Sequence, residues 1–322
     1  MSCAAGSIAE ALHRLEGVAV ADWPLAASTT YRVGGSAAVF ATPRSLAQLR
    51  MVGKVAHDTG LPMLIVGRGS NMLVADAGFI GIAVTLGALC QTTEIDGTRV
   101  IAGSAVALPV LARRTAAVGL TGFEWAVGVP GSIGGAVRMN AGGHGSDMAA
   151  CVLTAHILDL RSGLDRVWPA DELGLRFRGY GLTDDHAVLN AELVLQPGDA
   201  AAGESMIGDI VRWRREHQPG GQNAGSVFVN PVPGELAAAE LIDRLQLRGF
   251  RIGGASVSDK HANFVQADDD ATAADVRAVI EHVRTRVAAA TGILLRSEVR
   301  LVGFDSDSSG CADSSGFVGS PT

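Results

Sequence analysis

Cysteine is scarce in this chain of 322 residues: Cys3, Cys90, Cys151 and Cys311 are widely spaced and never form a C-x-x-C pair. That usage argues against a zinc site, an iron–sulfur cluster or a disulfide framework, so no metal is expected. Long apolar runs are missing as well. No stretch reaches the roughly 18 apolar residues of a membrane span, and no basic region precedes an apolar one at the N-terminus. The expectation is a soluble, cytoplasmic protein without a membrane partner. Positive charge is also in deficit. A formal net charge of −7 and a pI near 5.6 argue against nucleic acid or an anionic membrane as partner. An anionic ligand would need cations or amides placed locally. There is no internal repeat, and nothing in the sequence fixes an oligomeric state.

What remains is ample apolar material, 48% against 18% charged, over a length that suggests two or three domains. Residues Ser7 to Leu15 have a short amphipathic helical pattern. Leu46, Leu49, Val52 and Val55 share one helix face, with Gly60 as the stop. Pro62 to Val66, Met72 to Val74 and Ile80 to Leu86 read as strands, and Asp96-Gly97 as the hairpin pair between two more. Leu108 to Val118 reads as a helix ended by Gly119. Val152 to Leu158, Asp165 to Trp168 and Ala187 to Leu195 read as strands. The first half is therefore mixed α+β without regular βαβ alternation. Pro197-Gly198-Asp199 marks a boundary, followed by a helix through Arg214-Arg215. Leu236 to Leu245 and Val276 to Val287 read as helices, the second opened by Thr272 with Asp275 three residues on. Ile293 to Val302 reads as a closing strand carrying Glu298, and the Ser/Gly/Asp-rich residues 305–322 as a disordered tail.

The most informative stretch runs from Gly128 to Gly143, where glycines crowd between apolar flanks with Ser132 and Asn140 among them. Glycine is needed where φ turns positive or another group must approach the main chain. Such a run exposes backbone N–H groups suited to a pyrophosphate. It is not the Rossmann fingerprint, because no clean strand feeds it and no ribose-binding acid follows. Gly67-Arg68-Gly69-Ser70-Asn71, between two strands, is a second candidate cradle, equally readable as an ordinary turn.

Seven motifs follow in fixed order: TTYRVGG (29–35), VGRGSNMLV (66–74), GVPGSIGGAVRMNAG (128–142), RREHQP (214–219), AGSVFVNP (224–231), GGASVSDKHANF (253–264) and SEVRLVG (297–303). Together they resemble the UDP-N-acetylenolpyruvoylglucosamine reductase family in its shorter, type II form. The resemblance implies an α+β fold: a two-part FAD-binding unit of the vanillyl-alcohol-oxidase type and a small C-terminal α+β substrate domain. The corresponding divisions are 1–85 with the N-terminal helix, 86–198, 199–304 and the tail 305–322. It also implies bound FAD, NADPH as hydride donor, a UDP-sugar as small-molecule partner, and reduction of an enolpyruvyl group in peptidoglycan precursor synthesis.

The resemblance assigns roles residue by residue. Ser226 matches the family's proton donor, Glu298 its glutamate at the developing charge, and Arg178 its arginine for the substrate carboxylate, with Arg176 as a rival in the altered segment Leu175–Tyr180. FAD would be held by Tyr31, Arg32, Val33 and Gly34, by Gly67, Arg68, Gly69, Ser70 and Asn71, and by Gly128, Val129, Pro130, Gly131, Ser132, Gly134 and Gly135. The substrate diphosphate would meet Arg214, His217 and Asn230. Many members carry lysine where this chain has His217, largely neutral at pH 7, and again where it has Val229. Lys260 and His261 belong to a family motif but also suit packing or capping. Two other readings remain: an FAD oxidase of the same superfamily, with His144 open as a flavin attachment point, and a non-catalytic flavin- or UDP-sugar-binding paralogue.

Overall fold

The computed structural model describes residues 2–175, 181–232 and 234–304. Helix α1 (Ser2–Arg14) begins five residues earlier than its apolar pattern predicts. It leads into β1 (Ala19–Pro24), β2 (Ser36–Ala41), α2 (Leu46–Thr59), β3 (Met63–Ile65), β4 (Met72–Val74) and β5 (Phe79–Val84). Ser45 caps α2 by accepting the Gln48 N–H, and Gly60 closes it at φ 69°. The sheet order is β1-β2-β5-β3, with β1 antiparallel and the others parallel.

A five-stranded antiparallel sheet follows, ordered β12-β11-β13-β7-β6. Its members are β6 (Thr93–Asp96), β7 (Arg99–Gly103), β11 (Val152–Asp159), β12 (Asp165–Pro169) and β13 (His186–Val194). Asp96 already pairs with Arg99, so the hairpin loop is Gly97-Thr98 and not Asp96-Gly97. Gly97 takes φ 55°, the position where glycine costs least. Between β7 and β11 lie α3 (Leu108–Ala117), the short β8 (Leu120–Thr121), α4 (Ile133–Met139) and the ribbon β9 (Gly142–Gly143) with β10 (Ser146–Asp147). The edge pair β14 (Gln196–Pro197) with β8 ends this region.

The last stretch opens with α5 (Ala200–His217), capped by Asp199 on the Ala202 N–H at 2.8 Å. After α6 (Ala238–Arg244), a small antiparallel sheet of β15 (Arg251–Ile252), β16 (Ala255–Val257) and β17 (Val265–Ala267) packs on α7 (Ala273–Thr291). A full capping box between Thr272 and Asp275 starts α7, as the sequence indicates. Asp76, in the loop after β4, adds its carboxylate to the Ala273 and Ala274 N–H groups at 2.8 and 2.9 Å.

The closing strand is shorter than its sequence suggests. Only β18 (Arg300–Val302) is regular, and it pairs in parallel with β4, Arg300 opposite Met72. Residues before it pair elsewhere: Ser297 bridges Phe228, and its Oγ accepts the Val299 N–H at 3.2 Å. Glu298 thus sits in a bend between two pairing partners. Tyr31, Val33 and Leu73 join the core beneath α6 and α7 and so tie the first loop to the C-terminal region. Residues 305–322 lie outside the described residues. Among those described, no helix is long and apolar enough to cross a membrane.

Candidate functional site

Three loops meet at one edge of the molecule. Thr30 donates its N–H to the Gly69 carbonyl at 3.2 Å, joining the first loop to the second. The second meets the third where Arg68 Nε donates to the Pro130 carbonyl at 3.2 Å. A Cβ added at Gly67 would lie 2.9 Å from Ser132 Oγ, and one at Gly131 would lie 3.8 Å from Ser70 Oγ. Gly34 has φ 102°, and a Cβ there would fall 2.2 Å from the Val74 carbonyl oxygen. At Gly34 the neighbouring backbone leaves no room for a side chain, whereas Gly67 and Gly131 face the serine side chains of the adjoining loops.

This crowding leaves donors over. The N–H groups of Gly67 through Asn71, of Gly131 and of Ser132 donate to no backbone acceptor among the described residues. Thr30 Oγ1 is buried without a partner there. Most backbone amides pair when a segment folds, so this concentration of spare donors suits an anion with many acceptor oxygens. A dinucleotide pyrophosphate fits that donor set. Ser132 is itself buried, while Gly67, Arg68 and Pro130 stay at the surface. Tyr31 contributes differently from its neighbours: its ring is fully buried, and burial pushes its hydroxyl well above the usual phenol range. Only the main chain around it lines the loop. Arg32 reaches φ 55°, held by its N–H to Thr29 Oγ1 at 3.2 Å.

The two residues expected to carry proton and charge come together beside this cradle. The Glu298 N–H donates to the Val227 carbonyl at 2.7 Å, next to Ser226, and the Val229 N–H donates to the Arg296 carbonyl at 3.0 Å. Asn71, the last residue of the second loop, donates Nδ2 to the Glu298 carbonyl at 2.7 Å and touches Met139 Sδ at 3.4 Å. Ser226 and Glu298 are both half-buried. Asn263 fixes the Ser226 loop from below. It is buried, accepts from the Phe228 N–H at 2.9 Å and donates to the Phe228 carbonyl at 2.8 Å. In the sequence Asn263 stands within the motif GGASVSDKHANF, which marks the segment but not this role.

The residues expected at the substrate diphosphate are more dispersed. Arg214 turns inward, donating to the Gly128 carbonyl and, from Nε, to Gln218 at 2.7 Å; burial lowers its guanidinium from the usual range. It therefore braces the third loop. His144, at φ 51°, lies against Gly128 and edge-on to Trp213. Burial first and Arg214 second hold its imidazole below the ordinary histidine range. His217 is exposed, stacks on Trp213 at 4.7 Å and contacts the Trp213 carbonyl through Nδ1 at 2.8 Å. Asn230 accepts the Ala238 N–H at 3.1 Å and so caps α6. Lys260 Nζ donates to the Arg215 carbonyl at 2.5 Å. Arg176 and Arg178 lie outside the described residues.

Comparison with known proteins gives a consistent result. A family model described as FAD binding domain matches residues 37–164, and one described as UDP-N-acetylenolpyruvoylglucosamine reductase, C-terminal domain, matches 217–302. The UDP-N-acetylenolpyruvoylglucosamine reductase of Heliobacterium modesticaldum is 42% identical over 295 residues, covering 91% of this chain and 92% of the relative. That of a Synechococcus species is 40% identical and covers 88% and 92%. The crystal structure of the Thermus caldophilus enzyme superposes with a TM-score of 0.76 at 30% identity, covering 88% of this chain and 98% of the other.

Proposed function

The chain belongs to the UDP-N-acetylenolpyruvoylglucosamine reductase family, and we propose that the residues gathered at its three-loop edge perform that family's reaction. The protein is then an FAD-dependent, NADPH-consuming oxidoreductase. It converts UDP-N-acetylglucosamine enolpyruvate to UDP-N-acetylmuramate, a step of peptidoglycan precursor synthesis. We place it in the cytoplasm, acting on a small-molecule nucleotide sugar and not on nucleic acid. The oxidase and the non-catalytic paralogue are not favoured by this membership.

The spare amides of Gly67–Asn71, Gly131 and Ser132, with the main chain of Tyr31–Gly34, are assigned to the FAD pyrophosphate. Gly128, Val129, Pro130, Gly134 and Gly135 complete that wall. Bound FAD supplies a hydride relay from NADPH to the enolpyruvyl carbon. Addition at C3 drives electron density toward the substrate carboxylate, and that charge needs groups oriented in advance. Glu298 is assigned to this charge, and Ser226 Oγ holds the proton destined for C2. Arg178 is assigned to the carboxylate on its motif alone, and His217 and Asn230 to the diphosphate. Arg214 acts one step back by bracing Gly128.

One observation carries the reading: the Glu298 N–H on the Val227 carbonyl at 2.7 Å, with Asn71 holding the Glu298 carbonyl. These two hydrogen bonds join the segment of the proton donor, the acid and the cradle loop. The test is anaerobic. The purified protein is expected to be yellow, to bleach with NADPH and to regain colour on adding UDP-N-acetylglucosamine enolpyruvate. A colourless protein, or colour regained only with oxygen, overturns the reading. Ser226→Ala is expected to spare bleaching and to slow recolouring by at least about 100-fold, the scale of a lost general acid. Equal slowing of both steps would remove Ser226 from its role.

A further inference from the structure

Two clamps span α4, which follows the third loop, and the residues that lead into β18. The first is Asn71, touching Met139 Sδ on one side and the Glu298 carbonyl on the other. The second lies on a segment to which neither the motifs nor the assigned reaction gave a role. Asp184 accepts from Arg138 of α4 at 2.5 Å through one carboxylate oxygen and from Arg300 of β18 at 2.9 Å through the other. Arg138 also donates to the Thr183 carbonyl at 2.8 Å, so it grips the segment at two points. Glu298 is thus held between Asn71, through its own carbonyl, and Arg300 two residues on, with buried Val299 anchoring the bend between them. The contacts close a ring: Asn71, Glu298, Arg300, Asp184, Arg138, Met139.

Resting on the reductase reading above, we propose that Asp184 is a positioning residue that holds Glu298 in register with the flavin cradle. Isolated exposed ion pairs contribute little, but this carboxylate is shared. The Arg138 and Arg300 side chains are 18% and 33% exposed, and Asp184, at 57%, reaches both from the surface. Removing the charge takes away the group that Arg138 and Arg300 share, and with it this tie between α4 and the strand-leading residues. Small displacements of a charge-stabilising group cost rate steeply. The effect belongs to the half-reaction that uses Glu298 and not to NADPH oxidation.

The test uses the FAD-loaded enzyme without oxygen. Asp184→Asn is expected to leave flavin reduction by NADPH within about twofold of the parent. Reoxidation by UDP-N-acetylglucosamine enolpyruvate should slow about tenfold. Asp184→Glu is expected to recover most of that loss. Adding Arg300→Leu to Asp184→Asn should cost no more than Asp184→Asn alone, because both cut one clamp. Unchanged reoxidation in Asp184→Asn, or equal slowing of both half-reactions, overturns the proposal. If Asp184→Asn does not fold, Arg300→Lys, which keeps the charge and loses the fork, takes its place with the same asymmetry expected. A parent enzyme not reoxidised by the enolpyruvyl sugar at all would remove the reductase reading and, with it, this proposal.

Discussion

At position 69 a side chain has nowhere to go. Gly69 sits at φ 58°, and a Cβ there would fall 2.0 Å from the Ser28 carbonyl oxygen and 2.7 Å from the Thr29 Cα. Both obstacles are backbone, so neither yields cheaply. Gly69→Ala is expected to lower stability by about 2 kcal/mol or more, combining left-handed strain with a displaced loop. Because that loop supplies the spare amides, the purified variant should also lose most of its flavin. A thermal melt and the flavin-to-protein absorbance ratio check both; a fully yellow variant of parental stability would contradict the role given to this turn. Gly60 makes the contrast: its φ is equally positive, but a Cβ would meet nothing within 4 Å, so it serves only to end a helix. The sequence showed both glycines. It could not show which one has a neighbouring chain pressed against it, because that contact is set by the fold and not by local preference.

Among the elements, α7 shows how far local signals reach. Its capping box was readable from Thr272 and Asp275, and so was its apolar face. Its external cap, Asp76, was not, since that carboxylate arrives from nearly two hundred residues away. Hydrogen bonding to the Thr272 N–H first, and to Gly254 second, holds the Asp275 carboxyl below its ordinary value of 3.8. A depressed carboxylate adds stability above its unfolded value, and that contribution is lost as the pH falls below about 3.8 toward the folded value. Asp275→Asn should therefore be less stable than the parent at neutral pH, the gap closing as the solution is acidified below that point. Melting curves at pH 7 and pH 3 would show it, and a gap that stays constant would exclude the linkage. The closing strand was less legible. The run from Ile293 to Val302 has a strand's composition, yet it divides its pairing between the Ser226 loop and β4. Composition cannot reveal such a change of partner, and Glu298 sits at the change.

Over the whole molecule, the chain's last strand returns to pair with β4, directly after the second glycine loop. Tyr31 and Val33 from the first loop are buried beneath α6 and α7. The cradle and the acid are therefore tied together by contacts that run between the first loops and the C-terminal region. The ordered motifs made the site's components readable, Arg214 and Asn263 among them, whereas the bracing part those two play, and Asp184 altogether, is visible only in the fold. A crystal structure of the protein with FAD bound tests this account most directly. It should place the pyrophosphate within hydrogen-bonding distance of the Gly67–Asn71 and Gly131–Ser132 amides, with Ser226 and Glu298 facing the isoalloxazine. A pyrophosphate seated away from both loops, or a flavin ring turned from those two side chains, would contradict it.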